Sequence, residues 1–122
     1  MRQMLPDDGN GGAPVTLADI QQNTFGRVCI NCHVAGGQAA FIMRLDDERV
    51  SYANLVNQVS FEKPPMLRVS PGDPEASYLV WKIEGREGIL GERMPPPSAS
   101  EPKLPDEEIA AIRQWILDGA AP

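Results

Sequence analysis

The sequence Cys29-Ile30-Asn31-Cys32-His33 decides how the rest of this chain is interpreted. The chain of 122 residues contains two cysteines and one histidine, and all three lie within these five positions. Random shuffling would produce this arrangement roughly once in 7,000 trials, a counting estimate for the C-x-x-C-H pattern. Because residues three apart share a face of a helical turn, both thiols can reach one common group. The five residues therefore predict a single site built from two thiols and one imidazole.

The C-x-x-C-H pattern is typical of a covalent attachment site for c-type haem. Each thiol can add to a vinyl group of the porphyrin, which predicts Cys29 and Cys32 as the two thioether positions. His33 then offers a ring nitrogen to the iron from one side. A disulfide or thioredoxin-like pair would instead need a preceding strand in a βαβ context, whereas the preceding residues have a helical pattern. A zinc site would need a fourth ligand, and adjacent Cys32 and His33 are awkwardly placed to share one ion.

The second axial position of the iron needs a different kind of ligand, because His33 is the only histidine in the chain. The options are a methionine thioether, an amine such as lysine, or an open site. Met43 lies in a short apolar run typical of core packing. Met94 is the strongest candidate, with Met66 second, because three prolines follow Met94 and stiffen the chain. A thioether raises the reduction potential and closes the sixth position, which suits electron transfer.

The first helix is expected to begin at Thr16, which can act as the N-cap with Asp19 in the first turn. It should run through the C-x-x-C-H motif and end near His33, because Gly36-Gly37 stops it. The helical spacing of apolar residues defines the face that should be buried. The predicted buried residues are Leu17, Ile20, Phe25 and Val28.

Three further helices are expected, which makes the predicted fold all-α with little or no sheet. Asp46 or Asp47 should lie near the start of the second helix, and Asp73-Pro74 combines an N-cap with a first-turn proline. The predicted helices span about 47–59, from Asp73 to Gly85, and about 106–118, with a long loop at 85–105. The predicted buried residues are Val50, Leu55, Val56 and Val59 in the second helix, Ala76, Leu79, Val80 and Ile83 in the third, and Ile109, Ile112, Trp115 and Ile116 in the last.

Composition limits the possible function classes. The net charge of −6 argues against nucleic-acid binding and favours partners with a basic face. No stretch approaches 18 consecutive apolar residues, so no transmembrane segment is predicted. The seven aromatic residues (two Trp, two Tyr and three Phe) are few for a core, and a haem would supply further apolar contact area. Residues 1–15 are expected to form a linker or disordered N-terminus before a domain at 16–122, because residues 5–14 are rich in Gly, Pro and Asp.

The motif and the order of the predicted helices resemble the monohaem c-type cytochromes over residues 16–119. This resemblance implies the cytochrome c fold around one covalently bound haem c, with the first and last helices crossing near Phe25 and Trp115. It implies electron transfer rather than enzymatic catalysis, with His33 and Met94 as axial iron ligands. The chain would act as a carrier or as an electron-entry or electron-exit module of a larger redox enzyme. The alternative is a haem sensor or small peroxidase with a labile sixth ligand.

The resemblance also predicts a location and partners. Haem attachment to this motif occurs outside the cytoplasm in bacteria, which implies a periplasmic or other extracytoplasmic protein. Residues 1–14 lack the apolar core of a signal peptide, so a mature form or an excised domain is expected. The expected partners are redox proteins with a basic docking face, and the linker-like segment favours fusion to a larger redox protein.

The chain departs from the family pattern beside its histidine. Many c-type cytochromes have a proline about ten residues after the haem histidine, and its carbonyl accepts the imidazole N–H. Here no proline occurs between His33 and Pro64. Another carbonyl within residues 35–45 is therefore expected to orient the ring.

Overall fold

The computed structural model describes residues 14–122, and the regular secondary structure of that range is helical. Its α-helices are α1 (Leu17–Ile20), α2 (Glu48–Leu55), α3 (Tyr78–Glu84) and α4 (Asp106–Leu117). A π-helical segment spans Gln21–Phe25, and 3-10 turns span Cys29–Asn31, Pro74–Ala76 and Pro97–Ala99. Extended residues in the described range form isolated bridges but no strand. The predicted all-α character is confirmed, and none of these helices is long and apolar enough to cross a membrane.

The predicted linker, residues 1–15, lies almost entirely outside the described residues, which begin at Pro14. Val15 is buried and belongs to the hydrophobic core, while Pro14 and Thr16 are exposed. The core therefore begins one residue before the predicted domain boundary.

The first helix begins where the sequence predicts but is much shorter. The Thr16 side chain accepts the Asp19 N–H at 3.1 Å, and the Asp19 carboxylate accepts the Thr16 N–H at 3.2 Å. The prediction of one continuous helix into the motif is wrong, because α1 widens into the π-helical segment. The Gly26 N–H donates to the Gln21 carbonyl at 2.6 Å, and a Cβ on Gly26 would lie 2.7 Å from that oxygen. Glycine permits this close turn, which separates the motif from α1.

Helix α2 starts at the predicted cap but ends four residues before the predicted end at residue 59. The Asp47 carboxylate accepts the Val50 N–H at 3.0 Å. After Leu55 the chain becomes extended, and the Val69 N–H donates to the Leu55 carbonyl at 3.1 Å. Val59 was expected to be buried but is 53% exposed. Pairing with a distant segment has therefore ended a helix that the local apolar pattern would continue.

Helix α3 follows a separate short turn rather than starting at the predicted cap. The Asp73 carboxylate accepts the Ala76 N–H at 3.2 Å, but this contact caps the 3-10 turn. The buried Ser77 hydroxyl donates to the Asp73 carbonyl at 2.9 Å and accepts the Ser70 N–H at 2.8 Å, where the chain turns into α3. The predicted end is confirmed, because Gly85 has a φ of +69° that glycine adopts readily.

Helix α4 is the central packing element and matches its predicted extent to within one residue. It packs against α1 and α3, and α1 also contacts α2. The Thr24 hydroxyl donates to the Glu108 carboxylate at 2.7 Å, and Arg27 donates two further hydrogen bonds to it at 2.9 Å. The buried core that these helices share includes Leu17, Ile20, Phe25, Leu55, Val80, Ile83, Ile109, Ile112, Trp115 and Ile116.

Candidate functional site

The two cysteines lie at the ends of one 3-10 turn. The Cys32 N–H donates to the Cys29 carbonyl at 3.2 Å, and the His33 N–H donates to the same oxygen at 2.9 Å. Side chains three residues apart eclipse one another in a 3-10 turn, so both thiols lie on the same side of the backbone. Both cysteines are half-buried, and neither is in a disulfide. The turn therefore presents two free thiols and the adjacent imidazole together.

The His33 ring is oriented by a backbone carbonyl ten residues downstream. Its Nδ1 lies 3.1 Å from the Met43 carbonyl oxygen, and the His33 carbonyl accepts the Leu45 N–H at 2.7 Å. Because a carbonyl only accepts hydrogen bonds, this contact places a proton on Nδ1 and leaves the lone pair of a neutral ring on Nε2. That tautomer is the one that binds a metal through Nε2. The carbonyl lies within the predicted range, 35–45.

The segment after the motif is folded tightly back on it. The Ala39 N–H donates to the Cys32 carbonyl at 2.9 Å. Farther along, the Arg68 guanidinium donates to the Ile42 carbonyl at 2.9 Å and to the Asn54 carbonyl at 2.7 Å. These bonds connect the segment that orients His33 to the end of α2.

Gly37 occupies a position where a larger residue would disturb the motif. A Cβ on Gly37 would lie well inside van der Waals contact with the Cys32 carbonyl oxygen. We expect Gly37→Ala to lower the free energy of unfolding by about 1–3 kcal/mol, because the backbone must shift to relieve this overlap. Urea denaturation followed by circular dichroism measures the change. Ala40→Gly, in the same half-buried segment, controls for a generic change in backbone entropy, and an unchanged midpoint for Gly37→Ala would contradict the close approach.

The Cys29 thiol lies against the hydrophobic core. Burial raises the pKa of this thiol to about 12, the Glu108 carboxylate adds to the effect, and the Arg27 guanidinium opposes it. Because the thiolate is the nucleophilic form, a folded chain with two free thiols holds Cys29 in its unreactive form at neutral pH.

We expect Cys29 in the folded haem-free protein to react with iodoacetamide at pH 8 at least about 100-fold more slowly than in urea, since its thiolate fraction is far lower. The folded-state pKa lies above the unfolded value of 9.0. The protonated Cys29 thiol therefore stabilises the folded state fully below about pH 9, and this stabilisation is lost as the pH rises toward 12. Mass spectrometry of digested protein measures the rate for each cysteine, and equal rates in the folded and unfolded states would contradict the burial.

The structure places the candidate methionine ligands in different environments. Met43 packs against the hydrophobic core, as the sequence predicts, while Met66 and Met94 are half-buried. The Met94 N–H donates to the Lys82 carbonyl at 2.9 Å in the last turn of α3. Among residues 14–122, no hydrogen bond joins the 85–105 loop to the motif. The placement of Met94 at the iron therefore stays a prediction.

Large apolar side chains are exposed on three loops. Phe41 is 78% exposed in the segment after the motif, Phe61 is 64% exposed before α3, and Leu90 is 60% exposed in the 85–105 loop. The Phe41 and Phe61 rings meet edge to face with centroids 6.5 Å apart. Exposed aromatic side chains in contact, as Phe41 and Phe61 are, are typical of a binding surface.

Arg86 and Arg93, both in the 85–105 loop, are engaged within the protein. Arg86 forms ion pairs with Glu75 at 2.8 Å and Glu84 at 2.7 Å, and its guanidinium lies 5.6 Å from the centre of the Trp81 ring. The Arg93 guanidinium donates to the Pro95 carbonyl at 2.6 Å. A surface depression of about 730 Å³ also lies beside Arg86 and Arg93, but none of its lining residues belongs to the motif.

Two features of the structure were not identified from the sequence. The first is the Met43 carbonyl, which its spacing of ten residues from His33 would have indicated. The second is a set of side chains around α3, formed by Glu62, Tyr78 and Lys82. The sequence gives one signal for this set. Lys82 lies on the apolar side of α3, four residues after Tyr78 and next to Ile83. A lysine without a partner would be costly there, so a buried acceptor could have been expected.

Among residues 14–122, no group of three or more His, Cys, Asp and Glu side chains converges as the ligands of a metal ion would. No protein-family model, no curated protein and no solved structure matches the chain. The function of the chain is therefore inferred from the motif and its local geometry.

Proposed function

We propose that this chain is a monohaem c-type cytochrome, or a cytochrome domain with the cytochrome c fold, that transfers single electrons. The observation that carries the proposal is the 3.1 Å contact between His33 Nδ1 and the Met43 carbonyl, next to two free thiols. In many c-type cytochromes, the carbonyl of a proline about ten residues after the haem histidine orients the imidazole ring. Here Met43 lies ten residues after His33, and its carbonyl supplies the same kind of acceptor without a proline.

The residues of the site fit a covalently bound haem in three respects. Cys29 and Cys32 are free and lie on the same side of one turn. The neutral tautomer of His33 leaves Nε2 available to an iron. The exposed apolar side chains on the three loops would be covered by a flat apolar group, which would remove them from water.

The haem, when bound, supplies an iron that exchanges one electron between its ferric and ferrous states. Cys29 and Cys32 would hold the group by thioethers, and His33 would be the proximal ligand with its basicity tuned by the Met43 carbonyl. Met94 is the proposed distal ligand, because it is the half-buried methionine of the stiff proline-rich loop. A closed coordination sphere changes charge with little change in geometry, which is why we propose a carrier rather than an enzyme.

The surface charge supports a partner with a basic face. The net charge is −6, and the propionates of a haem would make it more negative. The ion pairs of the described residues match five basic side chains with five carboxylates and so leave the acidic excess unchanged: Arg27, Arg44, Lys82, Arg86 and Arg113 pair with Asp46, Glu62, Glu75, Glu84 and Glu108. We therefore propose a redox protein with a basic docking face as the partner, steered by long-range attraction. An extracytoplasmic location and fusion to a larger redox enzyme remain part of the same proposal.

The visible spectrum of the oxidised haem-loaded protein distinguishes the carrier from the alternative function. We expect a low-spin spectrum with the charge-transfer band of sulfur ligation, because a thioether fills the sixth position. A high-spin spectrum would instead support a haem sensor or small peroxidase with a labile sixth ligand. Addition of azide provides the control, since an open site binds it readily and a methionine-ligated iron binds it weakly.

A further inference from the structure

The 85–105 loop is attached to α3 through the backbone of two loop residues. The Leu90 N–H donates to the Tyr78 hydroxyl at 3.0 Å, and the Leu90 carbonyl accepts a hydrogen bond from the Lys82 ammonium. Four residues later, the Met94 N–H donates to the Lys82 carbonyl at 2.9 Å. Lys82 therefore holds the loop at both ends of the segment from Leu90 to Met94.

Glu62 joins the same two side chains from a different loop. Its carboxylate accepts a hydrogen bond from the Tyr78 hydroxyl at 2.9 Å and forms an ion pair with the Lys82 ammonium at 2.9 Å. Tyr78 is 5% exposed and Lys82 is 7% exposed. A lysine so well buried would be costly without a carboxylate and a further acceptor, and both are present here. Together with the Leu90 backbone, the three side chains form a closed network between two loops and α3, in which Tyr78 and Lys82 are buried and Glu62 is half-buried.

We propose that this network of Glu62, Tyr78 and Lys82 positions Met94 as the distal iron ligand. The inference rests on the proposed function, and it assigns the three side chains a role that acts through the loop backbone. A state in which the thioether binds the iron would be in equilibrium with an open state, in which the thioether has left the iron and the loop has moved. Fixing Leu90 and Met94 on α3 lowers the entropy that the ligand loses on binding, and so disfavours the open state.

Two side-chain hydrogen bonds within the 85–105 loop lack this geometry. The Ser98 hydroxyl donates to the Glu92 carboxylate, and Arg93 donates to the Pro95 carbonyl, so these bonds join one part of the loop to another. They shape the loop without fixing it to a helix. Ser98→Ala therefore provides a matched control for Tyr78→Phe, because each change removes one hydroxyl that bonds a carboxylate.

The first test measures imidazole binding to the oxidised haem-loaded protein. Imidazole binds only when Met94 has left the iron, so its apparent affinity reports the population of the open state. Loss of the Tyr78 hydroxyl should raise that affinity about 10-fold, because it removes the hydrogen bond that the hydroxyl accepts from the Leu90 N–H of the loop. Lys82→Met should raise it further or abolish the sulfur band. Ser98→Ala should change it less than about 2-fold.

The second test uses hydrogen exchange in the haem-free protein. The Met94 amide is the informative reporter, because its acceptor, the Lys82 carbonyl, is unchanged in Tyr78→Phe. We expect this amide to exchange about 10-fold faster in Tyr78→Phe while the core amides of α4 keep their wild-type rates. Equal acceleration of the Met94 amide and of the core amides of α4 would indicate general destabilisation and would contradict a positioning role.

The outcomes separate this inference from the proposed function. The first case is a wild type that carries a covalent haem with the sulfur band. If the imidazole affinity and the exchange rate of the Met94 amide are then unchanged in both Tyr78→Phe and Lys82→Met, only the positioning role is overturned. A covalent haem without the sulfur band would remove Met94 as the ligand and overturn both that assignment and this inference. Failure to attach haem would contradict the proposed function itself, and with it any role for the network in ligand positioning.

Discussion

Replacing Met94 with alanine is expected to remove the sulfur-to-iron charge-transfer band from the oxidised spectrum. Loss of the soft neutral ligand should also lower the reduction potential, by on the order of 100 mV, because a thioether favours ferrous iron. The vacated position should bind azide or imidazole readily. Visible spectroscopy and redox titration of the haem-loaded variant measure these changes.

The matched control is Met66→Ala, which removes the other half-buried candidate from the segment before α3. We expect its spectrum and potential to match those of the wild type. A band that persists in Met94→Ala and disappears in Met66→Ala would move the distal ligand to Met66. A band that persists in both variants would exclude both methionines as the ligand.

Replacing Trp115 with alanine is expected to destabilise the fold by about 3–5 kcal/mol, the usual cost of truncating a large buried aromatic side chain. Trp115 is 2% exposed, and its indole N–H donates to the Ala121 carbonyl at 2.8 Å. The change therefore leaves a cavity in the core and removes the hydrogen bond to the Ala121 carbonyl. We expect the thermal midpoint to fall by about 10–20 °C, measured by circular dichroism of the haem-free protein.

Leu117→Ala on the same helix tests whether the loss comes from burial. Leu117 is 56% exposed, so its truncation should cost no more than about 0.5 kcal/mol. Similar losses for the two variants would contradict the placement of Trp115 in the core.

The sequence predicts those parts of the fold that depend on local chemistry. The Thr16 capping box, the Asp47 cap, the Gly85 stop and the extent of α4 all follow from contacts within a few residues. The buried face of α4 also follows, because its apolar residues repeat at helical spacing.

The two failures have different causes. The first helix was expected to continue into the motif, but the Gly26 amide closes on the Gln21 carbonyl five residues earlier and widens the helix. The second helix was expected to reach Val59, but pairing with the distant segment around Val69 ends it at Leu55. The spacing of apolar residues encodes neither the widened turn nor the distant pairing, and therefore spacing alone could not have shown them.

The candidate site also has one part that the sequence predicts and another part that it does not. The grouping of Cys29, Cys32 and His33 follows directly from their positions in the sequence. The acceptor for the His33 ring was predicted only as a range of residues, 35–45, although a spacing of ten residues from the histidine would have indicated Met43. The network around Lys82 depends on how the 85–105 loop returns to α3, and it was missed entirely.

The central claim is that Cys29 and Cys32 carry a covalent haem. The most direct measurement is the intact mass, under denaturing conditions, of the protein produced with a bacterial haem-attachment system, alongside the double variant Cys29→Ala/Cys32→Ala. The account predicts that the wild type gains the mass of one haem that survives denaturation, and that the double variant gains none. A wild-type chain with no added mass after such maturation would contradict the account.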